Sequence, residues 1–133
     1  MDVRSISTAD LDGVYRLLLN NGWAHRIGGV AQLAQLVSAS QRVVVALVDN
    51  ELVGFARAIT DGISNGYISM VVVAEPFRRQ GIGQALVDAI IGSDKTITWV
   101  LRAGRDGAAE FFKKLGFTES SIAMERPRLD PLR

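Results

Sequence analysis

The pattern of hydrophobic and polar positions divides the chain into short strands and amphipathic helices. Residues 3–7 alternate between apolar and polar side chains and predict a first strand. Ser7 or Thr8 is then placed to cap a helix, with Asp10 in its first turn. Two apolar stripes at helical spacing follow: Leu11, Val14, Tyr15, Leu18 and then Val30, Leu33, Ala34, Val37. They predict two helices joined by a loop at residues 23–29.

The middle of the chain is rich in β-branched residues and predicts three successive strands. Residues 42–48 and 52–59 flank the turn-forming pair Asp49 and Asn50, so these two segments predict a hairpin. A third strand covers residues 67–73. Its end is apolar without alternation, as expected where both faces of a strand are covered.

The last third of the chain carries further helix and strand signals. Gly81 opens a helix, and residues 96–101 predict a strand. A last helix carries an apolar stripe formed by Ala108, Phe111, Phe112 and Leu115. It ends at Gly116, and residues 117–124 predict a final strand.

The predicted order of elements is β-α-α-β-β-β-α-β-α-β. This order indicates an α/β fold, in which helices pack on a mixed sheet. We expect one domain over residues 1–125 and a C-terminal tail over residues 126–133, where two prolines stand.

Composition excludes several kinds of chemistry. The chain has no cysteine and one histidine, His25, which excludes thiolate and multi-histidine metal sites, so we expect no metal. The net charge of +1 argues against nucleic acid as a partner. No apolar run approaches the roughly 20 residues of a membrane helix, and no targeting signal is visible. We therefore expect a soluble, cytoplasmic protein without a membrane partner.

The clearest chemical signal lies at residues 78–84, between an apolar strand and a helix. Gly81 and Gly83 stand at the mouth of that helix, where free amides and the helix dipole favour an anion such as a pyrophosphate. The residues alone leave three interpretations open. A P-loop would need a lysine after the glycines, and a dinucleotide fingerprint would need a glycine where Leu86 stands. The third is a glycine-rich connection without a ligand.

Two motifs in sequence carry a family resemblance. The pattern Arg-x-x-Gly-x-Gly at residues 78–83, after an apolar strand and Pro76, resembles the acyl-CoA signature of the GNAT superfamily of N-acetyltransferases. Residues 109–117 resemble the helix-to-strand motif near the C-terminus of that family. The resemblance covers nearly the whole chain and implies the GNAT fold. Trp23 and the stretch 54–61 are similar to a compact subgroup that includes relatives of plant serotonin N-acetyltransferases.

The resemblance implies acetyl-CoA as the cosubstrate and indicates where it would bind. Val71, Val72 and Val73 would pair with the pantetheine arm through their backbone, and an amide near Val72 would polarise the thioester carbonyl. The pyrophosphate would be held by Arg78, Arg79, Gln80, Gly81, Ile82, Gly83 and Gln84. A bulge in this strand, and its divergence from the strand at residues 96–101, would open the slot for the thioester.

The sequence departs from the family pattern in three places. Phe112 stands where many relatives have a tyrosine that protonates the leaving CoA thiolate. Arg105 stands where many have an asparagine. Ser69 and Met70 occupy a part of the strand where the subgroup often has a carboxylate. Because Phe112 cannot donate a proton, the thiolate would leave unassisted or take its proton from water.

Attack on a thioester needs a neutral amine, and therefore a base or a site that disfavours the ammonium. The candidate catalytic residues are Asp61, His25, Tyr67 and Ser69. Asp61 could act through water or could simply form an Asp-Gly turn. His25 could accept the proton or could be an ordinary surface histidine. The hydroxyls of Tyr67 and Ser69 could bind the amine or order a water.

Three residues are candidates for binding the acceptor. Trp23 could form an aromatic wall for an amine or could anchor a loop in the core. Arg57 could bind an acidic group of the substrate or could be an outward-facing strand residue. Tyr67 could contact the acceptor through its hydroxyl.

The resemblance leaves more than one function open. The leading hypothesis is an N-acetyltransferase that moves an acetyl group from acetyl-CoA to a primary amine of a small molecule, without a covalent enzyme intermediate. The alternatives are a catalytically impaired acyl-CoA-binding module and a protein lysine or N-terminal acetyltransferase. A homodimer could form through the last strand, where Ile122 and Met124 are apolar.

Overall fold

The chain divides into two compact units, Met1–Leu101 and Arg102–Arg133. The computed structural model describes residues 1–129, so residues 130–133 of the expected tail lie outside the described residues. The first unit holds strands β1 (Asp2–Ser5), β2 (Arg42–Val48), β3 (Glu51–Thr60), β4 (Asn65–Val73) and β5 (Thr98–Leu101). It also holds helices α1 (Leu11–Asn20), α2 (Val30–Ser38) and α3 (Ile82–Ile91). Helix α4 (Ala108–Lys114) belongs to the second unit.

The five strands form one mixed sheet in the order β1-β2-β3-β4-β5. The first four strands pair antiparallel, and β5 lies parallel to β4. The α/β fold predicted from the sequence is confirmed. No helix among the described residues combines the length and the hydropathy that crossing a membrane requires.

The turn between β2 and β3 forms as the sequence predicts. Asp49 and Asn50 both have positive φ, 50° and 64°, which is the backbone of a two-residue type I′ turn. Val48 and Glu51 form the strand pair next to it. The short polar side chains of Asp and Asn tolerate this left-handed region better than other L-residues do. The register of the hairpin therefore follows from the identity of these two residues.

Hydrophobic side chains cover both faces of the sheet. One face packs against α1 and α2 around the cluster Val14, Leu17, Leu18, Ile27, Leu33, Val43, Val45, Phe55, Met70 and Val72. Gly54 precedes Phe55, so it faces the opposite side of β3. A Cβ added at Gly54 would lie 2.9 Å from Leu86 Cδ1 and 3.1 Å from Ala46 Cβ. Helix α3 is therefore in close contact with the second face.

The end of β4 is less covered than the apolar sequence predicts. Met70 and Val72 are buried, but Val71 and Val73 on the other face are only half-buried. The expectation that both faces are covered is therefore wrong for this end of the strand. A run of four apolar residues predicts a strand, but it does not show which elements cover each face of that strand.

The predicted final strand is wrong within the part of the chain that the structure describes. Residues 117–124 form no strand there, and Ile122 and Met124 are 89% and 98% exposed. The Oγ atom of Ser120 instead accepts hydrogen bonds from the amides of Ile122 and Ala123, at 3.2 and 3.0 Å. Such a local turn uses the amides that a β-ladder would need. A homodimer through this segment stays a prediction.

A buried carboxylate joins β1 to the start of α1. Arg4 donates two hydrogen bonds to Asp10, from Nη1 to Oδ2 at 2.7 Å and from Nη2 to Oδ1 at 2.9 Å. The amide of Ser7 donates to the same Oδ2 at 2.8 Å, as in a capping box. The hydrogen bond from Arg4, together with those from Ser7, lowers the pKa of Asp10 to about 2.

Replacing Asp10 with asparagine should lower the free energy of unfolding at pH 7 by about 1–2 kcal/mol, because the ion pair and its charge-assisted hydrogen bonds are lost. The pKa of Asp10 is 3.8 in the unfolded chain and lower in the native state. The native state is therefore stabilised at pH values above 3.8, and this stabilisation is lost as the pH falls through about 2. The difference between wild type and Asp10→Asn should therefore shrink in urea unfolding between pH 4 and pH 2. Asp12→Asn, an exposed site on α1, is the control. A difference that stays constant with pH would contradict this account.

Replacing Gly54 with alanine should push α3 away from β3 and lower the free energy of unfolding by about 1–3 kcal/mol. Thermal unfolding measures the loss. Gly104→Ala is the matched control, because a Cβ added there meets no atom within 4 Å. Equal melting temperatures for the two variants would show that the contact between helix and sheet is looser than described.

Candidate active site

Strands β4 and β5 run together over a short distance and then diverge. β5 pairs only with residues 65–68, whereas β4 continues to Val73. Residues 69–73 therefore have β3 on one edge and, within the described first unit, no strand on the other. The divergence that the resemblance implied is present, and it opens a slot at this edge of the sheet.

A β-bulge lies at the point of divergence. Arg57 on β3 pairs with Met70 on β4. The next pair along joins Ala58 to Ile68, so Ser69 is an extra residue on β4. Nη2 of Arg57 donates to Oγ of Ser69 at 3.0 Å, which places both side chains on the same face. The bulge thus turns the Ser69 side chain toward Arg57.

Alternation of the antiparallel ladder shows which backbone groups face the slot. The amide of Ala74 donates to the carbonyl of Val53 at 2.8 Å, so pairs two residues apart, such as Val72 with Phe55, are also hydrogen-bonded. Val71 and Val73 then direct their amides and carbonyls to the free edge. Among the amides near Val72, that of Val71 is therefore directed to the free edge.

The loop after β4 leads into α3 through left-handed backbone. Arg79 and Gly81 have φ of 66° and 83°, and residues 78–81 are exposed. The first hydrogen bond of α3 runs from the amide of Ala85 to the carbonyl of Gly81, at 3.1 Å. The helical amides before this bond have no partner inside the helix, and they belong to Ile82, Gly83 and Gln84. This arrangement can hold an anionic group.

The side chain of Arg78, which the resemblance implies would help to hold the pyrophosphate, is hydrogen-bonded to neighbouring groups of the protein. Its Nε donates to the carbonyl of Val73 at 2.9 Å, and its Nη2 donates to Oδ1 of Asn21 at 3.0 Å. Nδ2 of Asn21 in turn donates to the carbonyl of Leu17 at 2.8 Å. Arg78 therefore connects the end of α1 to the free edge of β4, next to the loop.

Asp61 closes the turn between β3 and β4. Its Oδ1 accepts the amides of Ile63, Ser64 and Asn65 at 2.9, 2.8 and 3.2 Å. Its Oδ2 accepts the Ser64 hydroxyl at 2.6 Å. The Ser64 hydroxyl, followed by these backbone amides, holds the pKa of Asp61 far below its usual range. A carboxylate so satisfied has little tendency to accept a proton, which argues against Asp61 as the base.

Arg57 lies buried beside the bulge. Besides Ser69, it contacts Ser40, whose Oγ accepts a hydrogen bond from Nη1 at 2.8 Å. Burial lowers the pKa of Arg57, and the interaction with Tyr67 opposes this shift. Tyr67 pairs with Ile59, two residues from Arg57 on β3, so it faces the same side of the sheet. The structure thus brings Arg57, Tyr67 and Ser69 together, and Arg57 does not face outward.

His25 and Trp23 lie in the connection between α1 and α2. His25 is exposed within a short 3-10 turn, Ala24–Arg26. Trp23 is half-buried and packs against the hydrophobic core next to α1, which favours the interpretation as a loop anchor. No group of three or more possible metal ligands occurs among residues 1–129.

Two of the three departures from the family pattern, Phe112 and Arg105, lie in the second unit, whereas Ser69 and Met70 lie on β4. Phe112 in α4 packs edge-on against Phe111 and Phe117, with ring centroids 4.9 and 5.6 Å apart. An aromatic cluster therefore accounts for Phe112, and the ring has no group that could donate a proton. Arg105 precedes α4 in a bend.

Sequence reasoning missed Ser40 and Asn21, which fix two arginines at this site. Neither residue belongs to a motif, and each meets its arginine only through tertiary contact, 17 and 57 positions away. A cleft of about 480 Å³ between α1 and the turn after β4 was also missed. Arg16, Glu51 and Glu75 contribute charged groups to its lining. No local sequence signal announces such a discontinuous surface.

Comparison with known proteins agrees with this geometry. The family model for the acetyltransferase (GNAT) domain matches residues 39–119. A curated relative, the PanD regulatory factor of Salmonella typhimurium, is 30% identical over 95 residues, which are 68% of this chain and 74% of the relative. A GNAT-family acetyltransferase from Streptococcus pneumoniae superposes with a TM-score of 0.75 at 21% identity, covering 98% of this chain and 96% of that one. The structure of AAC(6')-Iy in complex with a bisubstrate analogue, CoA-S-monomethyl-acetylneamine, gives 0.74 at 20% identity, covering 96% and 97%.

The family model spans more than half of the chain, and it includes both the free edge of β4 and the glycine loop before α3. The structural neighbours show the same fold. This chain belongs to the GNAT family of acetyltransferases.

Proposed function

We propose that this protein is an N-acetyltransferase that moves the acetyl group of acetyl-CoA to a primary amine of a small molecule. The observation that carries the proposal is the free edge of β4, which ends beside the unpartnered amides at the start of α3. An extended, amide-bearing arm with an anionic group matches both parts. We also propose that residues 1–125 act as one domain, in keeping with a family model that spans residues 39–119.

The residues present fit acetyl-CoA. Val71 and Val73 offer amides and carbonyls to a pantetheine arm, as an added strand would use them. The amides of Ile82, Gly83 and Gln84 suit the pyrophosphate, and exposed Arg79 adds positive charge. The Val73 carbonyl holds Nε of Arg78. When the pantetheine arm binds, Arg78 would therefore release the Val73 carbonyl to it. Otherwise the arm would pair with Val71 alone.

Transfer would proceed by direct attack at this edge. When bound, acetyl-CoA supplies a thioester whose carbonyl carbon accepts the amine nitrogen as the bond to sulfur breaks. The Val71 amide would donate a hydrogen bond to the acetyl oxygen, where negative charge develops. The amine gives up one proton. Since Phe112 has no proton to donate, the departing thiolate would be protonated by water.

The proton that the amine loses would leave through hydroxyl groups and water rather than through a carboxylate. Asp61 is a poor candidate because four hydrogen bonds already stabilise its charged form. Tyr67 and Ser69 lie on the face and at the bulge where the acceptor would approach, and their hydroxyls could order a water that carries the proton away. His25 is exposed and could receive that proton.

A second candidate function is an acyl-CoA-dependent regulator without transferase activity. Two observations favour it. Phe112 cannot act as an acid, and Asp61 is used as a turn residue. The curated relative is named as a regulatory factor for PanD, which is consistent with this alternative. Binding of acetyl-CoA is common to both candidates, whereas release of free CoA thiol is specific to the first.

Acetyl-CoA at 100 times its dissociation constant should stabilise the protein by about 2.7 kcal/mol and raise the melting temperature by several degrees. Gly81→Val should abolish the shift, because a β-branched side chain is strained at φ 83° and would disturb the amides of the loop. Gly104→Val is the matched control and should keep the shift. CoA should act like acetyl-CoA, and ATP should not. If Gly81→Val binds as tightly as wild type, the loop does not hold the cofactor.

Primary amines incubated with acetyl-CoA and the protein should release free CoA thiol in an amount equal to acetylated amine, as mass spectrometry and a thiol reagent can show. A thermal shift without thiol release from any amine would favour the regulator. Thiol release with peptides, but not with small amines, would favour a protein acetyltransferase.

Asp61→Asn should lower the melting temperature, because an amide replaces the charged acceptor of the turn. The substitution should not change the midpoint of the pH–rate profile, because the lowered pKa keeps Asp61 ionised at every pH of the assay. His25→Gln, measured in parallel, tests the exposed imidazole. A profile that moves with Asp61→Asn and not with His25→Gln would restore Asp61 as the base.

A further inference from the structure

The guanidinium of Arg57 is buried without a negative partner. The residue is 8% exposed. Its hydrogen-bond partners among residues 1–129 are two neutral hydroxyls, those of Ser40 at 2.8 Å and Ser69 at 3.0 Å. Nε is buried and makes no hydrogen bond within this part of the chain. None of the ion pairs among these residues includes Arg57.

Arg42 is an arginine with a structural role, and its guanidinium has partners for both its hydrogen bonds and its charge. Its Nη1 donates to the carbonyl of Ile90 at 2.7 Å, at the C-terminal end of α3, where the helix dipole is negative. Its guanidinium also lies 5.4 Å from the ring centre of Trp99. Arg57 has neither a helix end nor an aromatic face as a partner in the described contacts. An unpaired, buried donor on a charged group is costly, which indicates that an anion completes the arrangement.

The position of Arg57 places that anion at the acceptor side of the slot. Ser69, which contacts Arg57, is the extra residue of the bulge and the first position of β4 beyond the pairing with β5. Val71, two residues further on, directs its amide to the free edge. A ligand on Arg57 would therefore lie next to the proposed position of the acetyl group.

We infer that Arg57 binds a carboxylate of the acceptor, so that the acceptor is a small amine that also carries a carboxylate, such as an amino acid. This inference rests on the proposed function. A planar guanidinium can offer Nε–H and a remaining Nη–H side by side, which matches the two oxygens of a carboxylate. One buried positive charge balances a carboxylate but leaves a phosphate dianion with excess charge.

The test compares each common amino acid with its own carboxamide as acceptor, using wild type, Arg57→Gln and Arg57→Lys. Wild type should prefer the carboxylate of the best acceptor by about 100-fold in kcat/KM, a range typical of one desolvated charge pair. Arg57→Gln should reduce the preference to a few-fold, and Arg57→Lys should leave an intermediate value. Carboxamides have a more readily deprotonated amine, so this bias opposes the prediction. It also cancels when wild type and variant ratios are compared.

A binding measurement keeps the test independent of transfer. With CoA present, the preferred amino acid should raise the melting temperature of wild type more than its carboxamide does, and Arg57→Gln should remove the difference. Lys95→Gln is the control for loss of one positive charge, because Lys95 is exposed between α3 and β5. It should keep the full preference. If Arg57→Gln does not fold, Arg57→Lys, which keeps the buried charge, decides the question.

The outcomes separate the two proposals. Failure of acetyl-CoA to bind would overturn the proposed function and the inference with it. Thiol release with equal rates for carboxylates and carboxamides would overturn the inference alone. A preference that persists in Arg57→Gln, or that is lost equally in Lys95→Gln, would also overturn it. If no amine is acetylated, the absence of any carboxylate-dependent shift in the CoA complex would overturn it as well.

Discussion

The site depends on backbone hydrogen bonds that the sheet leaves open along one edge of β4. β5 accompanies β4 over four residues and then departs, so the peptide groups of Val71 and Val73 face an edge without a strand. Open strand edges readily accept another extended chain. The rest of the site is arranged around this edge. The bulge lies at its beginning, and the glycine loop and α3 lie at its end.

Two arginines fix the two ends of this edge in different ways. Arg78 is held by neighbouring oxygens, a carbonyl and an amide oxygen, and so joins the loop to α1. Arg57 is held by hydroxyls alone and keeps a buried donor open. The first arrangement stabilises the native fold. The second leaves a buried charge without a negative partner among the described residues, and it is the basis of the proposed anion site.

Electrostatics within the described structure also restricts the chemistry. The carboxylates with lowered pKa serve local structure: Asp10 joins β1 to α1, Asp61 closes the turn after β3, and Asp94 accepts two hydrogen bonds from Thr96. These groups stay ionised over the ordinary pH range and do not exchange protons. The proposed proton path therefore relies on hydroxyls, water and an exposed imidazole. Such a path is sufficient for an amine that is partly neutral at the working pH.

Features that depend on neighbours in the chain could be predicted from the amino-acid sequence. The turn at Asp49 and Asn50 needs residues that tolerate positive φ, and the start of α3 needs Gly81, so their types and spacing predicted the hairpin and the anion-binding loop. The apolar stripes predicted the helices for the same reason. Their local geometry is set within a few residues, and the family motifs lie on such segments.

Features that depend on distant partners could be read from the folded structure but not from the sequence. Residues 117–124 predict a strand because apolar residues stand at both ends of this segment. Whether the segment pairs depends on competing local hydrogen bonds, here those from the amides of Ile122 and Ala123 to Ser120. The sequence left open which amide near Val72 faces the free edge, and the register with β3 directs that of Val71 to it. The sequence left two roles open for Asp61 and two for Arg57; the contacts favour the turn residue for Asp61, and burial argues against an outward-facing Arg57. A side chain's chemistry follows from its solvent exposure and hydrogen-bond partners, and these are set by contacts between residues far apart in the chain.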